Sequence, residues 1–394
     1  MKHVLLRRPS ASVQAGFGLV EIMVGVVIGM IAVLVIFQLY NVSEGFKRNT
    51  TAAGSAQQAG LYSAFALGME IANAGAGVSV AGTDLQWCLP PAPITQNITD
   101  LASTFLPIPV LISDGGGNAN SDSFVVNYSL ASSLVTSAPF AAAPAGQTYP
   151  VQSPQGFHQN DLVVAIPSPN TPATCTASVI TNNPSTTLDG NGVVQIVQTG
   201  LNGSLTQASL LFNMGPCNRV QKILYNVQNG VLQSTSLLNT STANLATCGQ
   251  PLAQAANPMV SNVLVMKAEY GINTSASPQG EVDTWVQATV GGGWDPATVF
   301  AANIKTINQI KAIRIGIIVQ SEQFDKNLNG FTGGNYTNGD YNWVLFDCSS
   351  ANKATCVGRL TGTVPATINP AGNWRFVKYE TIIPMRNVIW NLAT

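Results

Sequence analysis

The chain has 394 residues and a formal net charge of −1, and only 9% of its residues are charged, against about 25% in an average globular protein. Such a chain lacks the basic field that nucleic-acid binding requires, so no nucleic-acid partner is expected. Hydrophobic residues are ordinary at 46%. More than three hundred residues follow the first apolar segment, enough for one large domain or two small ones.

The N-terminus starts with a short basic segment, residues 1–16, which carries Lys2, Arg7 and Arg8 and no acid. Residues 17–40 follow as FGLVEIMVGVVIGMIAVLVIFQLY, with one formal charge among 24 residues. At about 1.5 Å per residue, a helix of this length can cross a bilayer core. The small residues lie before this segment and not after it, unlike a secretory signal, so a cut there would release the leader and keep the helix.

Three residues at this junction carry a family resemblance. Gly16, Phe17 and Glu21 resemble the class III signal of prepilins, in which Gly precedes the cut, Phe starts the mature chain and Glu is its fifth residue. The resemblance implies a prepilin peptidase that cuts between Gly16 and Phe17 and methylates the Phe17 amine.

Glu21 is also notable on physical grounds, because a carboxylate in a membrane helix is costly and is usually retained for a role. In a filament of packed helices, Glu21 could pair with the amino terminus of Phe17 in a neighbouring subunit. The alternative is a carboxylate near the helix start that reaches the interface and is favoured by the helix dipole. The Gly16–Phe17 junction favours the assembly role.

Gly25 and Gly29 form a GxxxG spacing, which permits close helix packing, although glycine is also common in membrane helices. Residues 41–73 are predicted to continue the helix in amphipathic form, so that its second half packs on a sheet. The apolar residues that recur at three- and four-residue steps are Val42, Phe46, Ala53, Gly60, Leu61, Ala64, Leu67 and Ile71. Gly75 and Gly77 are predicted to end the helix.

The middle of the chain is predicted to consist of short strands and polar loops. Residues 78–109 are expected to form an irregular connection pinned by a disulfide. The glycine triplet in the loop 113–123 is not a phosphate cradle, because no GxxxxGK[ST] pattern surrounds it. Asn229-Gly230 predicts a hairpin turn. The β-like runs are SFVVNYSL, DLVVAIP, VVQIVQT, SLLFNM and KILYNVQNGVLQST.

The last third has the most regular pattern. Two predicted strands, KAIRIGIIVQS and WRFVKYETIIPM, follow a strand MVSNVLVMKAEYGI and a short helix WDPATVFAANIKTINQI with Asp295 as N-cap. The order of these segments, and the ending Pro384-Met385-Arg386-Asn387-Val388-Ile389-Trp390, resemble the C-terminal half of the PilW family. The run QQAGLYSAFALGMEIANAGAG resembles the helix end of the same family.

Six cysteines are consistent with disulfides in an oxidising compartment. They are Cys88, Cys175, Cys217, Cys248, Cys348 and Cys356, and six cysteines allow about 15 connectivities. Cys348 with Cys356 would close a short loop and Cys217 with Cys248 would staple a hairpin region, which leaves Cys88 with Cys175.

Patterns for catalysis or metal binding are weak. His158 is the only histidine outside the leader, and no GxSxG, HExxH or CxxC accompanies it; a solvated or hydrogen-bonded side chain is expected. Asp325, Asn327 and Asn329 fit the first half of an EF-hand loop, but the twelfth position is Tyr336 and not Glu. A polar loop is the favoured interpretation, so no metal or cofactor is expected.

The sequence therefore predicts an α+β, pilin-like fold in which a long N-terminal helix, transmembrane in its first half, packs on antiparallel sheets with large loop insertions. The expected divisions are a leader (1–16), a transmembrane and assembly helix (17–40), its amphipathic continuation (41–73) and a β-rich globular domain (74–394). Retention of positive charge in the cytoplasm places that domain in the periplasm, with a single pass through the inner membrane.

The resemblance implies a non-enzymatic minor pilin of a type IV pilus that takes part in assembly initiation or the tip complex and later reaches the cell surface. It also implies partners among other minor pilins, the major pilin, a tip adhesin and the prepilin peptidase. Two alternatives remain open: a J-type pseudopilin of type II secretion, and an envelope hydrolase held by an uncleaved anchor.

Overall fold

The structure is a computed structural model, and statements about it apply to the residues that it describes. Those residues are 16, 18–78, 84–88, 95–96, 108–117, 120–129, 137–167, 175–185, 191–195, 205–237, 255–275, 280–296, 308–322, 335–337, 340–346, 360–364, 374 and 376–388.

One long α-helix, α1, spans Leu19–Asn73, and short 3-10 turns span Asp84–Cys88 and Cys217–Arg219. The strands in chain order are β1 Thr95–Gln96, β2 Val110–Ser113, β3 Ser123–Ser129, β4 Ser137–Pro139, β5 Thr148–Val151, β6 Asp161–Ile166, β7 Thr176–Val179, β8 Gly192–Gln195, β9 Leu210–Pro216, β10 Val220–Gln228, β11 Val231–Ser236, β12 Asn257–Ser261, β13 Val263–Ile272, β14 Thr284–Gln287, β15 Ile310–Gln320, β16 Asn335–Thr337, β17 Asp340–Leu345, β18 Leu360–Val364 and β19 Phe376–Pro384.

The chain divides into two compact units, Met1–Thr51 and Ala52–Thr394. In the second unit the strands form three main sheets, ordered β14-β13-β15-β19, β12-β11-β10-β3-β2 and β1-β7-β6-β9-β4, with smaller sheets β16-β17-β18 and β5-β8. Pairings among the described strands are antiparallel except for β1 with β7. The α+β class with antiparallel sheets is therefore confirmed.

The C-terminal part of α1 is built into the largest core. Leu67, Ile71 and Ala74 are fully buried there against apolar side chains of the first two sheets, among them Ile313, Ile315 and Phe124. The helix ends at Asn73, and Gly75 and Gly77 follow with φ of 78° and 63°. This left-handed backbone suits glycine and ends the helix as predicted.

β15 is one of the two inner strands of the four-stranded first sheet, and all eleven of its residues are buried. It pairs with β13 on one side and with β19 on the other. Both faces of the sheet are therefore covered along this strand, including at its charged residues Lys311 and Arg314. β19 ends at Pro384, as the sequence predicts, because proline cannot extend the hydrogen-bond ladder in the interior of a sheet.

The predicted strand MVSNVLVMKAEYGI is two strands, and the single-strand prediction is wrong. β12 belongs to the sheet with β11, whereas β13 belongs to the sheet with β15. Asn262 lies between them with φ of 64°. Asn tolerates this conformation better than β-branched residues do, so the chain turns there and passes from one sheet to the next.

Candidate functional site

The first unit presents an apolar helical surface. The exposed fraction of its large apolar residues between Leu19 and Tyr40 ranges from 50% at Val33 to 75% at Leu19. In the described residues, α1 is the helix that is long and apolar enough to cross a membrane. Soluble proteins rarely expose so large an apolar surface to water. We therefore expect this surface to contact lipid or other helices.

Glu21 lies exposed in the first turn of α1. The amides of Glu21 and Ile22 donate to the Gly18 carbonyl at 2.9 and 3.2 Å, which starts the helix. An acid in this position is favoured by the helix dipole. Gly16 is exposed, and Phe17 lies outside the described residues, so the pairing of Glu21 with a neighbouring Phe17 stays a prediction.

Gly25 and Gly29 lie on open parts of this surface. A Cβ placed at either residue would meet nothing within 4 Å, so neither glycine is required by packing within the chain. A charged segment follows the apolar one, with an ion pair between Arg48 and Glu44 one turn apart at 3.4 Å. Both side chains are substantially exposed, so the pair adds little stability.

In the second unit, small residues form the face of α1 that lies against the sheet. The buried residues along this face are Ala52, Ala56, Gly60, Ser63, Leu67 and Ile71. The sequence pattern identified Gly60, Leu67 and Ile71 correctly, but Leu61 is 61% exposed. Small side chains occupy the interface because they let the helix approach the sheet closely, which a hydrophobic pattern alone does not reveal.

Tyr379 of β19 is the closest partner of this small-residue face. Its hydroxyl donates to the Gln57 carbonyl at 3.1 Å, and a Cβ added at Gly60 would overlap its ring. The ring therefore fills the space that Gly60 leaves free. Further along the helix, the Tyr128 hydroxyl of β3 donates to Glu70 Oε2 at 2.9 Å, which ties the helix to the second sheet.

Asn387 holds the C-terminal end of α1. Its Nδ2 lies 3.1 Å from the Ala74 carbonyl and 3.3 Å from the Asn73 carbonyl. Carbonyls at a helix C-terminus lack partners within the helix and need donors from elsewhere. The segment Pro384-Met385-Arg386-Asn387-Val388 thus has a structural role, because it brings an amide donor from the end of the chain to the end of the helix.

The opposite face of the first sheet carries buried charge. Lys267 of β13 is 2% exposed, and its Nζ lies 2.8 Å from Asp122 Oδ1, 3.8 Å from Asp114 Oδ1 and 2.9 Å from the Gly117 carbonyl. Burial raises the pKa of Asp122, and the ion pair with Lys267 offsets part of that rise. The Lys267 side chain therefore anchors both described ends of the glycine-rich loop, at Asp114 and Gly117 on one side and at Asp122 on the other.

Arg314 of β15 lies on the same face of the first sheet as Lys267. It forms a buried ion pair with Glu269 and lies between two rings, 4.7 Å from the centroid of Trp285 and 4.3 Å from that of Phe346. Burial raises the pKa of Glu269, an effect that Arg314 partly offsets. Guanidinium groups stack well on aromatic faces, so this cluster joins β13, β15 and the Phe346 segment.

His158 was considered for catalysis, and the structure places it next to Asp161. The His158 side chain is 68% exposed, and its Nδ1 lies 3.7 Å from Asp161 Oδ2. Asp161 is buried and accepts hydrogen bonds from the His158 amide and Asn213 Nδ2, each at 2.8 Å, so its role is to fix a turn. Among the described residues, no three His, Cys, Asp or Glu side chains cluster as metal ligands. Asp325, Asn327 and Asn329 lie outside the described residues.

Cys88 and Cys175 form a disulfide with Cα atoms 5.4 Å apart, the pair that the sequence reasoning left over. It ties the segment after α1 to the start of β7 and lies in a core with Val164, Phe212 and Cys217. Cys217 is also disulfide-bonded. Its predicted partner Cys248 lies outside the described residues, as do Cys348 and Cys356.

The site residues predicted from the sequence do not include Tyr379, Asn387, Lys267, Glu269 or Arg314. A signal existed for the charged ones, because Lys267, Glu269 and Arg314 lie in strands that are mostly apolar. Charged side chains in such positions are rarely buried unless they are paired. The contacts of Tyr379 and Asn387 join residues more than three hundred positions apart, and no local pattern marks them.

In the described residues, these observations define an α+β protein in which the first half of α1 exposes an apolar surface and the second half of α1 packs within the β-rich unit. Residues 224–387 match the PilW family, described as type IV pilus-assembly protein W, which confirms the likeness noted in the C-terminal segments. The match includes β11 to β19 and Asn387 and leaves out α1.

Among solved structures, a type IV-like pilin from Thermus thermophilus is similar with 10% identity and a TM-score of 0.28, over 82% of this chain and 92% of that one. No curated protein matches the chain. The fold class therefore rests on the helix and sheets described above.

Proposed function

We propose that this chain is a minor pilin of a type IV pilus, with a structural and not a catalytic role. A prepilin peptidase removes residues 1–16, and the mature protein, which begins at Phe17, is held in the inner membrane by α1. It then enters the assembly-initiating or tip complex by lateral packing of this helix. The partners are other minor pilins, the major pilin and a tip adhesin.

One observation carries the proposal: the PilW match occurs in a chain whose N-terminal helix exposes its large apolar side chains from Leu19 to Tyr40. A membrane covers such a helix before assembly, and neighbouring helices can cover it afterwards. The Gly16-Phe17 junction and Glu21 support the peptidase step. The Cys88–Cys175 disulfide supports placement of the β-rich unit in an oxidising compartment such as the periplasm.

The N-terminus of the native protein provides the direct test. Mass spectrometry of the protein from cells should find a chain that begins with N-methylated Phe17. A protein that retains Met1 would contradict the proposal and favour an uncleaved anchor. A Gly16→Leu variant should keep the leader and stay out of filaments, which links processing to assembly.

The role of Glu21 is tested separately. Glu21→Ala should leave membrane insertion intact and reduce incorporation into filaments, because the carboxylate would no longer pair with a neighbouring amino terminus. Glu44→Ala removes another acid from the same helix and serves as the matched control. Equal incorporation of the Glu21→Ala variant and the unmodified chain would refute the role.

Identification of the proteins that are recovered with this chain distinguishes a role in a pilus from a role in type II secretion. Recovery of the protein with pilus subunits supports the proposal. Recovery with secretion pseudopilins instead would assign it to the other system.

A further inference from the structure

Lys267 and Asp122 form a buried pair that the proposed function does not use. Lys267 lies in β13 of the first sheet, and Asp122 directly precedes β3 of the second sheet. Their side chains are 3% and 5% exposed, and Lys267 Nζ lies 2.8 Å from Asp122 Oδ1. An amine and a carboxyl group that are held together away from water can condense to an amide, because their encounter has already taken place in folding.

The backbone around Asp122 fixes the position of its carboxyl group. The Asp122 amide donates to the Met266 carbonyl at 2.7 Å. The Gly115 amide donates to Asp122 Oδ1 at 3.1 Å, and the Ala268 amide donates to Asp122 Oδ2 at 2.9 Å. Each carboxyl oxygen therefore faces a main-chain N–H group, and such groups stabilise the negatively charged oxygen that forms when a nucleophile attacks the carbonyl carbon.

Gly115 is required for this arrangement. A Cβ at Gly115 would lie 2.2 Å from the Ser121 carbonyl oxygen, so the two sides of the loop approach more closely than a larger residue permits. The close approach keeps the Gly115 amide at the Asp122 carboxyl group. Fixed geometry of this kind supplies much of the rate of an intramolecular reaction.

Asp114 is placed to carry protons for such a reaction. Its Oδ1 lies 3.8 Å from Lys267 Nζ, and its side chain is 20% exposed. A carboxylate in this position can take a proton from the attacking nitrogen and give it to the departing oxygen. Burial also raises the pKa of Asp122, which favours the carboxylic acid, the form that an amine can attack.

We propose that Lys267 and Asp122 are joined by an isopeptide bond in the mature protein. Proton transfer within the pair gives a neutral amine and a carboxylic acid, and Nζ attacks Cγ to form the N–C bond. Asp114 takes a second proton from Nζ and passes it to Oδ1. The Cγ–Oδ1 bond then breaks and one water molecule leaves, so the condensation balances without an oxidant, a reductant or a further reactant.

The product retains the contacts of the reactants. Asp122 Oδ2 remains a carbonyl oxygen that accepts the Ala268 amide, and the remaining N–H of Lys267 donates to the Gly117 carbonyl, which lies 2.9 Å from Nζ. The bond joins residues 145 positions apart. A covalent link across so long a loop restricts the unfolded chain as a disulfide does, and here it ties the first sheet to the loop that leads into the second.

Mass spectrometry of the full chain, purified from cells in detergent, tests the proposal. After reduction of its disulfides, the protein should be lighter by one water molecule than the mass calculated from its observed N-terminus. Tandem mass spectrometry of a proteolytic digest should find a branched peptide that joins Lys267 to Asp122. A chain of full mass, with both residues in linear peptides, would overturn the proposal and leave the pair as an ion pair only.

Two lysine variants locate the lost water. Lys267→Arg keeps a cation beside Asp122 but has no amine nucleophile, so this variant should have its full mass. Lys222→Met removes a partly buried lysine from β10 and is the matched control, which should still lack one water molecule. A missing water in the Lys267→Arg variant would place the modification elsewhere in the chain and overturn the proposal.

Asp114→Asn tests the proton carrier without removing either bonded residue. Bond formation should slow by about 100-fold or more, measured as the bridged fraction at successive times after synthesis. An unchanged rate would overturn the role of Asp114. All these readouts are covalent and are independent of entry into a pilus, so failure of this inference and failure of the proposed function are distinguishable.

Discussion

The side-chain amide of Asn387 lies 3.1 Å from the main-chain carbonyl of Ala74, so the last described segment of the chain caps the C-terminal end of α1. We expect Asn387→Ala to lower the free energy of unfolding by about 0.5–1.5 kcal/mol, because the capped carbonyls lose their donor. Amide exchange in the last turn of α1 should rise as well. Chemical unfolding of the full chain in detergent measures the first effect.

Arg386→Ala is the control for this prediction. Arg386 is exposed beside Asn387, and its loss should change stability by no more than about 0.5 kcal/mol. If both variants behave alike, the cap contributes nothing.

The contact between Gly60 and Tyr379 predicts opposite effects for the same substitution at two positions of one helix. Gly60→Ala should destabilise the protein by about 1–3 kcal/mol, because the new methyl group overlaps the Tyr379 ring. Gly54→Ala should stabilise it by about 0.5–1 kcal/mol, because the position is open and alanine favours the helix. Thermal unfolding of the two variants side by side tests this pair of predictions. Shifts of the melting temperature in the same direction would contradict the close contact between Gly60 and Tyr379.

The buried ion pair between Arg314 and Glu269 predicts that their contributions to stability are strongly coupled in a double-mutant cycle. Arg314→Met should cost about 3–5 kcal/mol, since it leaves the Glu269 carboxylate buried without its cation. Adding Glu269→Leu should recover most of that loss. Additive effects in denaturant unfolding would show that the pair is not coupled in the folded protein.

Tyr149 predicts a change in alkaline stability. Its hydroxyl is buried and has no hydrogen-bond partner in the described structure, and burial raises the pKa of Tyr149 to about 12 from an ordinary value of 10.0. The unfolded chain therefore ionises first, so the stability from this group is complete below pH 10 and falls as pH rises to about 12. A shift of this size is worth about 2–3 kcal/mol.

Tyr149→Phe should flatten the decline in unfolding free energy between pH 10 and 12, and at neutral pH it should be neutral or stabilising. Tyr270→Phe is the matched comparison, because the Tyr270 hydroxyl accepts a hydrogen bond from the Ile112 amide at 2.6 Å. Its loss should cost about 1–3 kcal/mol at neutral pH. If Tyr149→Phe is as costly as Tyr270→Phe, the Tyr149 hydroxyl has a partner in solution.

Local sequence patterns were sufficient to predict those helix ends, turns and strands that have turn residues or a clear hydrophobic spacing. The helix end at Gly75, the hairpin at Asn229-Gly230, with φ of 52° and 75°, and the limits of β15 and β19 follow from turn chemistry and hydrophobic spacing. The break at Asn262 was missed because the apolar pattern continues across it, and a change of sheet leaves no trace in that pattern.

The face of α1 that lies against the sheet could not be predicted either, for a different reason. Hydrophobicity ranks Leu61 above Ala56 as a core residue, yet Ala56 is fully buried and Leu61 is exposed. Burial there depends on how close the helix comes to Tyr379, which is a tertiary property. The charged pair Glu269 and Arg314 likewise becomes meaningful only when β13 and β15 are aligned in register.

The pairing of β15 with β19 has a mechanical consequence. Nine consecutive residue pairs join the two strands, from Ala312–Pro384 to Gln320–Phe376, and β19 and the segment after it also supply Tyr379 and Asn387 to the helix. A force applied to the second half of α1 would pass through these two contacts into β19 and the segment after it, and the nine pairs would share it with β15.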